Sequence, residues 1–224
     1  MLWLLSLLML LTAASCKKEV ANEDQRPLAP APKLQTQMDT DDRPVIVAFG
    51  DSLTAGFGVE PGLSYPDFLQ KELDAAGYRY RVQNEGISGD TSSGGVARME
   101  SVLRMKPAIV ILELGANDGL RGIPVEKTRE NLDLLTGEFV KAGIKVLLAG
   151  ITLPRNYGPD YIREFDRIFP DLAKKHKVAL LPFLLDQVAL NPRLMQPDAL
   201  HPNAEGNRQV ARNVFAALRP LLSK

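Results

Sequence analysis

Cysteine and histidine are both scarce in this chain, and their scarcity narrows the chemistry it can perform. A single cysteine, Cys16, excludes an intramolecular disulfide and any metal site built from several cysteines. Two histidines, His176 and His201, leave few residues able to act as a general base near neutral pH. Charge of either sign is not in excess: Lys+Arg and Asp+Glu number 27 each, for a formal net charge of zero. That balance gives no reason to expect a nucleic acid or other polyanion as partner, so function must reside in a local site. No internal repeat is visible. No apolar run reaches the roughly 20 residues that a membrane-spanning helix needs.

The ends differ from the middle. Residues 1–15, MLWLLSLLMLLTAAS, carry a leucine-rich run of about a dozen residues followed by small ones. This is the pattern of a secretory signal peptide with its cleavage site, although no Lys or Arg precedes the run. The segment AASC resembles the lipobox of bacterial lipoproteins, with Ala13 where the commonest form has Leu, and makes Cys16 the expected lipid attachment site. Residues 16–43 then read as a lipidated cysteine and a disordered linker rich in Pro and charge, long enough to span about 30 Å. The expected location is the periplasmic side of a bacterial membrane as a lipoprotein, or the soluble periplasm if Cys16 is not lipidated. A monomer is expected.

From residue 44 to 224 short apolar runs alternate with helical patterns. Strands are expected at 45–49, 79–83, 108–114, 144–149 and 178–181, rich in Val, Ile and Leu and without in/out alternation, as in a parallel sheet buried on both faces. Helices are expected at 65–76 (Tyr65, Phe68, Leu69 and Leu73 on one face), 125–142 (opening on Pro124 in the first turn), 159–176 (with a break at Pro170) and 205–218. This β-α alternation implies a parallel sheet between helical layers.

In such sheets ligands bind outside the carboxyl ends of the strands, so residues that directly follow strands come first. Four segments qualify: GDSLTAG (50–56), NEGISGDTSSGG (84–95), GAND (115–118) and, before the last helix, DALHPN (198–203). Singly, each has an ordinary explanation as a helix cap, a tight turn or loop chemistry. Jointly they place a hydroxyl, a base, an acid and amide donors on one edge.

A serine hydroxyl needs a base to act as a nucleophile at neutral pH. His176, in AKKHKV, reads as a solvated cation at a helix C-terminus. His201 stands three residues after Asp198, a spacing that lets a carboxylate fix the imidazole tautomer. A metal site at DALH would lack further His or Cys ligands, so no metal is expected. Gly89, the amide of Asn117 and the Ser52 N–H are candidate donors to a developing oxyanion.

These four blocks, in this order over nearly all of 45–221, resemble those of the SGNH (GDSL) hydrolases. SGDTSSGG, ELGANDGLRG and LPRNYG resemble the subgroup of periplasmic thioesterase/lysophospholipases and arylesterases. The resemblance implies Ser52 as nucleophile, His201 as base, Asp198 as its orienting acid, and Ser52, Gly89 and Asn117 as the oxyanion hole. It implies a three-layer α/β/α sandwich on a five-stranded parallel sheet, the flavodoxin-like SGNH hydrolase fold, with no cofactor. The α/β-hydrolase elbow G-x-S-x-G does not fit, because GDSLT lacks the second glycine. The expected activity is hydrolysis of acyl or aryl esters, or thioesters, through an acyl-enzyme. Two alternatives stand beside it: a carbohydrate O-deacetylase with the same triad, and a tethered ligand-binding lipoprotein. Against the latter, no Lys-Ser/Thr phosphate loop and no G-x-G-x-x-G fingerprint occurs. Phe57, Leu63, Leu120, Leu153 and Tyr157 are candidates to line an acyl pocket.

Overall fold

The computed structural model describes residues 41–224; the leader, Cys16 and most of the linker lie outside the described residues. Five strands form one sheet: β1 (Val45–Gly50), β2 (Arg81–Gly86), β3 (Ile109–Glu113), β4 (Lys145–Ala149) and β5 (Ala179–Leu181). Every pairing is parallel, and the order is β2-β1-β3-β4-β5. The central strands are buried on both faces: Ile46–Phe49 and Ile109–Leu112 have no exposed surface. This accounts for their unalternating apolar sequence.

The helices are α1 (Ser52–Ala55), α2 (Tyr65–Ala75), α3 (Ser92–Arg104), α4 (Ala116–Leu120), α5 (Val125–Lys141), α6 (Pro159–His176) and α7 (Ala204–Leu218). α2 packs with α7, while α3, α5 and α6 pack in series. The result is the expected α/β/α sandwich.

Four points depart from the sequence reading. β2 begins two residues later than the apolar pattern suggests; as an edge strand paired only to β1, it carries RVQNEG at no great desolvation cost. α3 was not foreseen, since SSGG at its start reads as a loop. Pro170 does not break α6, which runs through it. The lost hydrogen bond, worth about 3 kcal/mol with its steric conflict, is offset by burial of Phe165, Ile168, Phe169 and Leu172. Pro124 caps α5 from outside instead of occupying its first turn.

The register matters most for function. Gly50 at the end of β1 pairs with Gly86 on one side and Glu113 on the other. Three strand ends therefore stand level, and the chain leaving each of them enters the same edge of the sheet.

Candidate active site

Ser52 opens α1 directly after β1. Asp51 caps that single turn, its Oδ1 accepting the Leu53 N–H at 3.0 Å, and Gly56 closes it in the left-handed conformation. The Ser52 N–H, at the first helical position, has no intrahelical acceptor, and no hydrogen bond engages it among the described residues. The helix-cap reading of GDS and the functional one thus describe the same turn.

His201 Nε2 lies 2.9 Å from Ser52 Oγ, and His201 Nδ1 lies 2.6 Å from Asp198 Oδ2. The three-residue spacing works because Asp198 Oδ1 accepts the N–H groups of Leu200 and His201, both at 3.0 Å, and Ala199 takes a left-handed φ of 55°. This leaves Oδ2 free to receive the imidazole. Partial burial works to raise the Asp198 pKa, but hydrogen bonds from the His201 ring and from those two backbone groups outweigh it and hold the carboxyl below its usual value. The Phe57 ring tilts against the imidazole, 4.7 Å between centroids. Gln196 fastens this loop to the nucleophile's: its N–H donates to the His201 carbonyl at 2.8 Å, and its Nε2 donates to the carbonyls of Phe57 and Pro202 at 2.7 and 3.0 Å.

The other candidates converge on the same place. Gly89 sits in the turn after β2 with φ +81°, which any side chain would strain, and its N–H has no acceptor among the described residues. Asn117, near the start of α4, lines the cleft beside Ser52 and Gly89. Its Nδ2 donates to Asp51 Oδ2 at 3.0 Å and to the Asp90 carbonyl at 2.9 Å. Both neighbours are acceptors, which fixes the amide's orientation. Its neighbour Asp118 is fully buried and accepts from Ser92 N–H and Ser92 Oγ at 2.8 and 2.5 Å, docking α3 onto α4.

His176 is not brought to the site, and it is not solvated as the sequence suggested. Its side chain is 16% exposed and its Nε2 meets Asp133 Oδ1 at 2.6 Å, beside Lys175 Nζ on Oδ2 at 2.6 Å. Burial works to raise the Asp133 pKa, but these two bonds outweigh it and lower it. The pair joins α5 to α6.

Behind Ser52 lies a feature the sequence reading missed. Glu113, at the end of β3, is fully buried; its Oε2 accepts from Thr54 Oγ1 at 2.8 Å and from the Asp51 N–H at 3.2 Å, while Oε1 has no partner among the described residues. Burial, with the negative charge of Asp51, pushes the Glu113 pKa well above the ordinary range. Burial also raises Asp51, to about 6, against hydrogen bonds from Leu53, Glu113 and Asn117 and the field of His201. Asp51 therefore ionises first as pH rises, and its charge favours the protonated form of Glu113. A lone Glu within the apolar run AIVILEL was the available signal.

The stability consequence has a definite sign. A carboxyl whose folded pKa exceeds its unfolded value makes the native state bind more protons, so stability falls as pH rises from the unfolded pKa through the folded one. For Asp51, between 3.8 and about 6, this amounts to about 3 kcal/mol. Glu113 extends the window upward from its ordinary value of 4.5. Glu113→Gln should shrink the fall in Tm between pH 5 and pH 8 by at least about 3 °C, roughly 1 kcal/mol for a domain of this size. Parallel Tm curves for variant and parent would contradict the charge assignment.

A cleft of about 970 Å³ opens over Ser52. Phe57, Leu120 and Leu153 line it as foreseen, whereas Leu63 and Tyr157 pack against the core. A further wall comes from Phe183, Leu185 and Met195 in the irregular stretch between β5 and α7.

Comparison with known proteins shows the family and the fold. Residues 48–209 match the model of the GDSL-like Lipase/Acylhydrolase family. Esterase TesA of Pseudomonas aeruginosa is 43% identical over 178 residues, covering 79% of this chain and 89% of the relative. Thioesterase 1/protease 1/lysophospholipase L1 of Escherichia coli K12 is 37% identical over 179 residues, covering 80% and 85%. A crystal structure of TesA superposes with a TM-score of 0.77 at 43% identity, covering 80% of this chain and 99% of that one.

Proposed function

We propose, from the premise that this chain belongs to the GDSL-like lipase/acylhydrolase family and is a serine-dependent hydrolase of ester bonds, that Ser52, His201 and Asp198 are its catalytic triad and that medium-chain acyl esters and thioesters are its substrates. The observation that carries this reading is the unbroken line from Asp198 through His201 to Ser52 at the floor of an apolar cleft.

His201 Nε2 takes the proton of Ser52 Oγ as the oxygen attacks the acyl carbonyl. The imidazolium that forms is balanced by Asp198, whose pKa is already held low. The tetrahedral oxyanion lies between the N–H groups of Ser52 and Gly89, both without acceptors among the described residues. Asn117 joins them by sharing a hydrogen now donated to Asp51 or Asp90. His201 then returns the proton to the leaving alcohol or thiol, and water hydrolyses the acyl-enzyme by the same steps in reverse. No step calls for a metal or cofactor.

The cleft supports the acyl class. Leu120, Leu153, Phe183, Leu185 and Met195 offer an apolar wall, and each methylene that an acyl chain buries there contributes about 0.8 kcal/mol. With p-nitrophenyl esters from acetyl to dodecanoyl, kcat/KM should rise at least about tenfold from acetyl to a medium-chain optimum, and acyl thioesters should follow the same order. An acetyl optimum, with faster turnover of acetylated sugars, would overturn the substrate assignment.

Export and tethering complete the proposal. The apolar leader ends at the chain's only cysteine, and an unpatterned linker separates that cysteine from β1. Cys16→Ser should move the protein from the membrane fraction to the soluble periplasmic fraction; unchanged fractionation would remove the lipid anchor from the account.

A further inference from the structure

Arg98 lies in α3, away from the cleft, yet its guanidinium is joined to three segments that meet at the site. Nε donates to Asp90 Oδ2 at 2.7 Å, Nη1 to the Glu85 carbonyl at 2.8 Å and Nη2 to the Gly50 carbonyl at 2.8 Å. The planar group also lies over the Phe49 ring of β1, 4.1 Å from its centroid. Gly50 stands two residues before Ser52. Glu85 is the penultimate residue of β2, the strand that delivers Gly89. Asp90 follows Gly89, and its own carbonyl accepts from Asn117.

The arrangement is enclosed and specific. The Arg98 and Asp90 side chains are 17% and 11% exposed. α3 carries glycine at position 94, where a Cβ would overlap Asp90 Oδ1. A packing cation needs none of this, because Lys could neutralise Asp90; only the rigid fork of Arg reaches three acceptors in fixed directions.

We propose that Arg98 is a positioning residue for the oxyanion hole, holding the Ser52 turn and the Gly89 loop at the separation at which their two N–H groups converge on one oxygen. It rests on the assignment of those N–H groups made above and extends it to a residue that touches no substrate. Without the guanidinium the Gly89 loop keeps its turn bond from Asp90 N–H to the Ile87 carbonyl, and the Gly50 carbonyl keeps Ile87 N–H, so the loop persists but loses its fixed distance from Ser52.

A displacement of about 1 Å at a catalytic group costs about 10²-fold in rate. Arg98→Ala should therefore lower kcat for p-nitrophenyl butyrate about 10²-fold, with KM within threefold of the parent, at a temperature where melting curves show it folded. Arg98→Lys, with one donor centre in place of three, should lose at least about tenfold by the same displacement. Affinity for butylboronic acid, whose tetrahedral adduct puts an oxygen in the hole, should fall in parallel with kcat. Methylguanidinium in the tens of millimolar should restore part of the Arg98→Ala rate and leave the parent unchanged. Arg129→Ala, which removes a salt bridge to Asp171 remote from the site, should keep the parental kcat.

A folded Arg98→Ala with kcat within threefold of the parent, or with kcat lost and boronate affinity retained, overturns the proposal. If Arg98→Ala does not fold, Arg98→Lys decides by the same two readouts. Labelling by a fluorophosphonate separates the premise from the inference. No adduct at Ser52 in the parent sinks both; an adduct at Ser52 with undiminished Arg98 variants sinks the role of Arg98 alone.

Discussion

Ser52→Ala should lower kcat for p-nitrophenyl butyrate by at least about 10⁴-fold, while Tm stays within about 2 °C of the parent. The size of the effect follows from the chemistry: without Oγ no acyl-enzyme forms, and only water held near the hole remains to attack. The small effect on stability follows from the contacts. Among the described residues the Ser52 side chain has one hydrogen-bond partner, His201 Nε2 at 2.9 Å, and the α1 turn is held by Asp51 and Gly56, which the substitution leaves in place. Steady-state kinetics with an active-site titration checks it. A variant retaining a tenth of the parental kcat would remove Ser52 from the mechanism.

His201→Ala should cost about as much, because the serine hydroxyl is a poor nucleophile without a base to take its proton. The decisive feature is non-additivity. Residues that act as a unit lose together, so the double variant Ser52→Ala, His201→Ala should be no slower than Ser52→Ala within about threefold. Two independent contributions would instead multiply. The loop should survive the substitution, since its bonds to Gln196 and the Asp198 turn run through the backbone of residue 201. A multiplicative loss would mean that His201 acts elsewhere than on Ser52.

What the sequence made legible was chemistry that follows apolar strands. Ser52 and Asn117 stand within a few residues of runs unmistakably buried on both faces, and Asp198 and His201 share one short segment. Their distances were not legible, because they depend on strand register. The level ends of β1, β2 and β3 at Gly50, Gly86 and Glu113 leave no periodic trace in any single strand. α3 has a different reason: Val96, Met99, Val102 and Leu103 fall at helical spacing and pack on the core, but the SSGG at its start reads as a loop and masks the stripe. The sequence reading assigns no element to the stretch that carries Arg98.

The cleft wall from Phe183 to Met195 escaped because it forms no regular element, although so many apolar residues in an irregular stretch was itself a signal. Pro170 shows the opposite error, a strong local rule overruled by packing: the apolar stripe of α6 buries enough surface to carry the helix past a missing donor. Asp51 and Glu113 illustrate where such rules break for a purpose. Two carboxyls buried together are costly, and this pair sits directly behind the nucleophile, one member capping its turn and holding the Asn117 amide.

The most direct test of the account is to inactivate the enzyme with a fluorophosphonate and locate the adduct by peptide mass spectrometry. The account predicts one phosphonyl group per chain, on Ser52, with activity lost in proportion to its incorporation and no labelling after Ser52→Ala. Inactivation with the adduct on another serine of the cleft, such as Ser88 beside Gly89, would contradict it.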